Sequence, residues 1–487
     1  VNEQGRRAIV LVATSFALVF LVGFLGPSIA VVTLPQRQSW HPPFWIDAHP
    51  HPAIIISLIV AAIACGGIGI YQGLRALAAG WQPRHLAKLG IAGIVAVTLV
   101  PPMGSGDILM YAAYGRIAAL GSSPYVLSPA DLSRLINDPI ANATEAPWQE
   151  KTSVYGPIAT WLQQGSSFLG GDSTHATVMW LQLVNALAYV GVGLLTIVLA
   201  GQDPKDRARA TLFILANPVL VLAVVGGAHN DAQAVVFAIA ALVVARRMPF
   251  AAGLLLGLGG AVKLNVGLFG LALLWGLRKS KRRMAELCAG AALALVGTYV
   301  TAGPEAFHQI TAAVGYVSTG TPWRWIFSLL HLTILPIPLA RTVVALLAIT
   351  SIVLVSILLH RALPAAIKPP AGPDDPTPDA VRAAAVLGLA WVLLTHYTLP
   401  WYDIVAWAPL AAVAATQLDK LLLLRTSVLA AAYTGSRAIV LPAWLQFIQS
   451  RLLDTISPLV QLTVIVLLIR WCRRRSAAPK EPVHERQ

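Results

Sequence analysis

Fourteen apolar stretches recur along this chain, near residues 8–33, 53–77, 88–103, 178–200, 209–226, 232–246, 249–262, 265–277, 285–303, 340–360, 381–396, 404–418, 426–443 and 456–471. A helix crossing the hydrocarbon core of a bilayer needs about 20 apolar residues, within a range of about 17–25. Water-soluble packing cannot hide so many such runs. Charged residues make up only 11% of the 487 residues, against roughly 25% in soluble domains, and mean hydropathy is +0.70. In lipid each backbone N–H and C=O must be satisfied within the protein, which leaves helices or closed barrels. The runs are too long for barrel strands. The expected fold is therefore an all-α polytopic membrane protein with about 14 transmembrane helices, one domain over 1–487. The short pair around VKLN (262–265) also fits a broken or re-entrant element.

Charge orients the helices. With alternate loops assigned to opposite sides, about three quarters of the 35 Lys and Arg fall on the side holding both termini, and the 21 acids divide about evenly. Both termini and the basic tail 472–487 are expected in the cytoplasm, in a multi-pass plasma-membrane protein. The formal charge of +14 is thus a topology signal that touches membrane lipids, and no nucleic-acid partner is expected. Cys65, Cys288 and Cys472 form no CxxC pair and cannot staple an external loop. The first run is too long for a signal-peptide core and is expected to be retained.

The unusual chemistry collects on the opposite, outer side. The large external segments are 104–177 and 303–339, with 34–52, 443–455, GGAHND (226–231) and THYTLPWYD (395–403). KPPAGPDDPTPD (368–379), on the cytoplasmic side, reads as a flexible linker. In GSGDILMYAAYGRIAALGSSPY (104–125) a carboxylate, Asp107, follows a membrane run. On a helical wheel Tyr111 and Tyr114 lie about 40° and 20° to either side of it, and Arg116 points away. An interfacial helix on the membrane surface is expected. Helix N-capping is the plain alternative for Asp107, and equally for Asp231. Tyr155 in YGP precedes a Pro-opened helix. Trp148 and Trp161 suit headgroup depth.

Several cations stand at membrane depth: Lys263 in VKLN, Arg324 between Trp323 and Trp325, His396, and Arg437 in an apolar run. Such groups need an anionic partner or must snorkel. They are candidates to hold a donor phosphate. Tyr111, Tyr114, Tyr155, His229, Asn230, Asp231 and Trp401 are candidates to hold sugar or acceptor. His41, His49 and His51 with Asp47 match no zinc spacing, so a solvated loop is expected. A carboxylate base beside tyrosines, lone cations and aromatic platforms indicates glycosyl transfer from a lipid-phosphate donor. A lipid-linked sugar transporter or flippase shares the helices and cations. It does not need a long external loop opening on a carboxylate.

The elements GDILMYAAYGRIAALGSSPY (106–125), SVYGP (153–157), GGAHNDA (226–232) and VKLN (262–265) carry a resemblance. The chain resembles the GT-C superfamily of polytopic glycosyltransferases. More narrowly, it is similar to the polyprenol-phosphomannose-dependent α-1,6-mannosyltransferases of mycobacteria and corynebacteria, the MptA/MptB group. The resemblance implies Asp107 as catalytic base and polyprenyl-phosphate-mannose as donor. It implies a lipid-anchored α-1,6-mannan acceptor of lipomannan or lipoarabinomannan, at an outer-face active site. A phosphatidylinositol-mannoside acceptor or another sugar is the alternative within that superfamily. No cofactor and no metal are expected, because the leaving group is a lipid monophosphate.

Overall fold

The computed structural model describes residues 3–35, 40–146, 148–307, 316–434 and 441–477. The described residues are helices and loops, with single-residue bridges between Val31 and Met103 and between Ala366 and Val413. Among them, eight helices are long and apolar enough to cross a membrane: Glu3–Phe24, Pro52–Ala78, Thr174–Leu199, Pro204–Gly226, Lys281–Ala302, Ile337–Ala362, Thr377–Leu394 and Ala443–Ser476. Four shorter apolar helices are Leu86–Thr98, Asp231–Val244, Pro249–Gly260 and Leu264–Leu277. Of the remaining two expected runs, 404–418 holds Ile404–Leu410, while 426–443 overlaps only the second half of Leu418–Ala432, whose first eight residues precede it. The chain is an all-α polytopic membrane protein.

Two further boundaries differ from expectation for local reasons. The run 8–33 is helical only to Phe24. Gly26 then takes φ +93° ahead of Pro27, and the chain turns to pair with 102–104. The run 404–418 holds a seven-residue helix containing Pro409, with all seven residues buried. It is too short to cross and is surrounded by protein. Arg209 caps its end, donating to the carbonyls of Ala411 and Val413 while pairing with Asp419 at 2.8 Å.

The segment Pro204–Gly226 forms the centre of the bundle, with 94% of its apolar window buried, whereas Ile337–Ala362 lies at the periphery with 22% buried. The central segment is not one regular helix. It breaks at Asn217–Pro218 and ends in a π-turn over Leu222–Gly226, a distortion frequent at functional sites.

The loop 104–177 folds into the protein rather than onto the membrane surface. Nine of the thirteen residues of Asp107–Ala119 are buried, because Pro157–Gly170 and Thr174–Leu199 pack over it. The expected interfacial helix is therefore an interior one. Arg116 anchors its far side through Asp138 at 2.8 Å and Asp172 at 2.6 Å. The expected linker 368–379 is also held. Arg283 donates to the Asp374 carbonyl at 3.0 Å and Arg278 pairs with Asp379 at 2.7 Å.

Candidate active site

Three backbone junctions bring distant segments together. Met103 N–H donates to the Gly226 carbonyl at 2.8 Å, which sets the approach to Asp107 beside GGAHND. Gly156 and Ile158 N–H donate to Val262 and Ala261 at 3.2 and 3.0 Å, which sets Tyr155 against VKLN. Ser318 accepts from Thr398 N–H at 3.0 Å and donates to the Thr398 carbonyl at 2.9 Å, which fixes THYTLPWYD.

The second junction depends on the absence of a side chain. A Cβ on Gly156 would stand 2.0 Å from the Ala261 carbonyl oxygen. Gly156→Ala is therefore expected to part the two segments and destabilise the protein by about 1–3 kcal/mol. Gly165→Ala, where nothing lies within 4 Å, is the control. A lower melting temperature in detergent for the first and not the second checks this.

At the meeting point Asp107 is the first helical residue, after the cap Gly106, and makes no side-chain cap. Asp231 is likewise the first residue of its helix, and its cap position, Asn230, makes no side-chain cap bond. The Asp107 N–H instead donates to Ser105 Oγ at 3.1 Å. Burial pushes the Asp107 carboxyl from 3.8 up to about 6; the Ser105 hydroxyl and Lys263 oppose this, and Asp231 and Glu145 add to it. Asp107 Oδ2 lies 3.5 Å from His229 Nδ1. Burial, helped by Lys263, holds the His229 imidazole well below its ordinary value, so the ring is neutral at physiological pH.

The Asp231 carboxylate takes both bonds from Lys263 Nζ, at 2.9 and 2.8 Å. The ammonium also lies 4.3 Å from the centre of the Tyr402 ring. Lys263 is thus paired within the protein rather than snorkelling. Tyr111 and Tyr155 meet edge to face at 5.0 Å, with hydroxyls 3.4 Å apart. Trp401 stacks on His229 at 3.4 Å and 11°, which leaves only its other face for a ligand. The Asn230 amide is buried, and neither its oxygen nor its nitrogen has a partner among the described residues.

The other candidates lie differently. Tyr114 is fully buried and donates to the Lys151 carbonyl at 2.8 Å, so it braces the loop instead of facing a ligand. Arg324 is exposed, with its guanidinium over Phe327 at 5.5 Å. It does not sit between tryptophans, because Trp323 donates to the Leu394 carbonyl and Trp325 to that of Asp454. His396 is half-buried and its carbonyl accepts from Ser318 N–H. Arg437 lies outside the described residues.

Other residues gain importance only in three dimensions. Glu145 lies against Gly106, where a Cβ would meet its Oε2 at 2.6 Å. Behind Trp401, the fully buried Arg425 pairs with Asp403. It also donates to the Val392 carbonyl at 2.6 Å and to Thr398 Oγ1 at 2.9 Å. Arg425 sits in an otherwise Leu-rich helix, and its only sequence signal is a lone charge in an apolar run.

His229, Pro400 and Trp401 form one wall of a small cavity of about 30 Å³. Ile59, Met103, Leu222, Ala223 and Ala430 are among the other residues that line it. That is room for about one water, well below the roughly 300–1,000 Å³ of small-ligand pockets. The site thus joins an uncapped carboxyl near neutrality, an ion pair, aromatic faces and an apolar recess. A carboxyl in such surroundings can take a proton from a hydroxyl.

Comparison with known proteins agrees with this chemistry. A family profile described as alpha-(1->6)-mannopyranosyltransferase, N-terminal domain, matches residues 10–279. A probable alpha-(1->6)-mannopyranosyltransferase of Mycolicibacterium smegmatis is 34% identical over 144 residues, 28% of this chain and 24% of that protein. Alpha-(1->6)-mannopyranosyltransferase B of Corynebacterium glutamicum is 27% identical over 179 residues, 37% of this chain and 28% of that protein. An alpha-(1->6)-mannopyranosyltransferase of Mycobacterium tuberculosis is 31% identical over 134 residues, 28% of this chain and 22% of that protein. The chain thus spans about a quarter of the length of these relatives. The profile's span contains Asp107, Tyr155, His229, Asp231 and Lys263, whereas Trp401 and Arg425 lie beyond it. It covers more than half of the chain, which therefore belongs to the alpha-(1->6)-mannopyranosyltransferase family.

Proposed function

We propose that this protein transfers mannose from polyprenyl-phosphate-mannose to a lipid-anchored α-1,6-mannan acceptor of lipomannan or lipoarabinomannan, with inversion, on the outer face of the plasma membrane. The observation that carries the reading is Asp107, a shielded carboxyl at the start of its helix, raised to about 6 and 3.5 Å from His229, which lines an apolar recess. Asp107 takes the proton of the acceptor 6-hydroxyl. That oxygen bonds to the anomeric carbon as the bond from this carbon to the phosphate oxygen breaks. The phosphate leaves with the electron pair, so a β-linked donor gives an α product. Asn230, with its amide unpaired among the described residues, suits sugar hydroxyls, and Trp401 brings an aromatic wall to the recess. Lys263 supplies positive potential, tempered by Asp231.

Helix lengths suggest the depth of the site. Asp231–Val244 has 14 residues, about 21 Å, against a hydrocarbon core of about 30 Å. Its far end runs into Arg246 and Arg247, which favour the cytoplasmic side. On that reading Asp231 and Lys263 stop short of the outer surface, at the depth where a prenyl phosphate would carry its charge.

Reconstituted protein, radiolabelled polyprenyl-phosphate-mannose and a short α-1,6-oligomannoside test the proposal. A longer α-linked glycan is expected; a transporter would move label across the bilayer and extend nothing. The rate is expected to fall on the acid side through about pH 6, as Asp107 takes up its proton. A flat profile between pH 5 and 8, measured by initial rates, would remove Asp107 from the role of base.

A further inference from the structure

GGAHND does more than supply polar groups to the site. Ala228 adopts φ +50°, a left-handed conformation uncommon for a residue with a Cβ. This turns His229 inward, where its ring is 1% exposed. One face of the imidazole lies on Trp401, 3.4 Å away and almost parallel. On another side the ring meets the backbone of Gly227, where a Cβ would stand 2.5 Å from Cδ2 and Nε2. The ring therefore has little freedom to rotate. Its Nδ1 has no hydrogen-bond partner among the described residues, yet it stands 3.5 Å from Asp107 Oδ2. That is longer than a closed N–H···O bond. Catalytic contacts of this kind commonly tighten when substrate binds.

We propose that His229 is a positioning residue for Asp107: an imidazole, locked by Trp401 and Gly227, that presents Nδ1–H to one carboxylate oxygen and leaves the other for the acceptor hydroxyl. The inference rests on the reading of Asp107 as base. The charged and titratable groups around that carboxyl are Lys263 from the VKLN turn, Asp231 from its helix, Glu145 from the first loop, Tyr111 and Tyr114 from the carboxyl's own helix, Tyr155, and Tyr397 and Tyr402 from the 395–403 loop. The Ser105 hydroxyl also bonds the carboxyl; His229 can select one oxygen because its approach is fixed by the Trp401 stack and the Gly227 backbone.

The test uses the full chain in proteoliposomes. His229→Phe keeps the stacked ring and removes the N–H. It is expected to lower kcat by about 10²-fold with little change in KM. It is also expected to move the acid limb of the pH profile upward, since a carboxylate that loses a hydrogen bond is harder to ionise. His229→Asn places an N–H near the position of Nδ1 and is expected to recover rate and acid limb, whereas His229→Gln, whose N–H lies farther out, is not. Gly227→Ala should reproduce the phenylalanine effect by displacing the ring. A wild-type kcat and acid limb in His229→Phe would overturn the proposal, as would equal impairment in the Asn and Gln variants if His229→Phe fails to fold. Should the wild type transfer no mannose, a second readout stands apart from turnover. The melting-temperature gap between wild type and Asp107→Asn, followed against pH, reports the Asp107 ionisation. His229→Phe should shift that curve upward, and an unmoved curve overturns the inference while leaving the activity a separate question.

Discussion

Asp107→Asn is expected to lower mannosyl transfer by about 10²–10⁴-fold, the contribution of a positioned general base, while donor binding is retained. Its melting temperature at neutral pH is expected to hold or rise. The folded chain keeps a proton on this carboxyl up to about pH 6, whereas an unshielded carboxyl releases it near 3.8. The fold therefore loses stability as pH rises from about 3.8 to about 6 and carries that full loss at neutral pH. An amide carries no charge and escapes that loss. Initial rates with purified lipid donor, donor binding by filter assay and a thermal ramp on the same preparation separate the outcomes. An inactive and unstable protein would mean that Asp107 is structural. Normal activity would end its assignment as base.

The second large effect lies away from the reacting atoms. Arg425→Met is expected to destabilise the protein by about 3–5 kcal/mol, because it leaves the Asp403 carboxylate buried without its partner. Both side chains are fully buried. Thr426 Oγ1 also donates to Asp403 Oδ2 at 2.6 Å, and Trp407 Nε1 donates to Thr426 at 3.0 Å. Asp403 closes the short turn Pro400–Asp403 that carries Trp401 and Tyr402. Loss of the pair should therefore disturb the Trp401–His229 stack as well as the helix contacts. Arg425→Met combined with Asp403→Leu is expected to regain much of the stability, since the penalty is an uncompensated charge rather than a lost attraction. Thermal unfolding of the single and double variants in detergent checks this. A double variant as unstable as the single one would count against that physical account.

Legibility in the sequence followed the range of each interaction. The helices were readable because burying a run of apolar residues in lipid is a local property of the run. The misreadings occur where tertiary contacts override it. Asp107–Ala119 carries Tyr111 on the face of Asp107, as the wheel requires, but the helix is interior because Pro157–Gly170 covers it. The run 404–418 is apolar enough to cross, yet it forms seven helical residues held by Arg209 from a distant helix. Arg324 is a cation beside aromatics in sequence, but both neighbouring indoles turn to backbone carbonyls elsewhere.

The sequence by itself determined the membrane class, the sidedness expected from its charges, and a short list of candidate residues out of a mostly apolar chain. Hydropathy and charge act residue by residue against the solvent, so they survive without a fold. The tertiary structure decided which of those residues meet. It brought Asp107 to His229, set Lys263 on Asp231 and Tyr402, and removed Tyr114 to the framework. Those pairings span up to 139 positions, as between Lys263 and Tyr402, and rest on backbone junctions such as Met103 with Gly226 and Gly156 with Val262. Hydrogen bonds and close packing have a reach of a few ångströms, and no spacing along the chain reveals which distant atoms come that near.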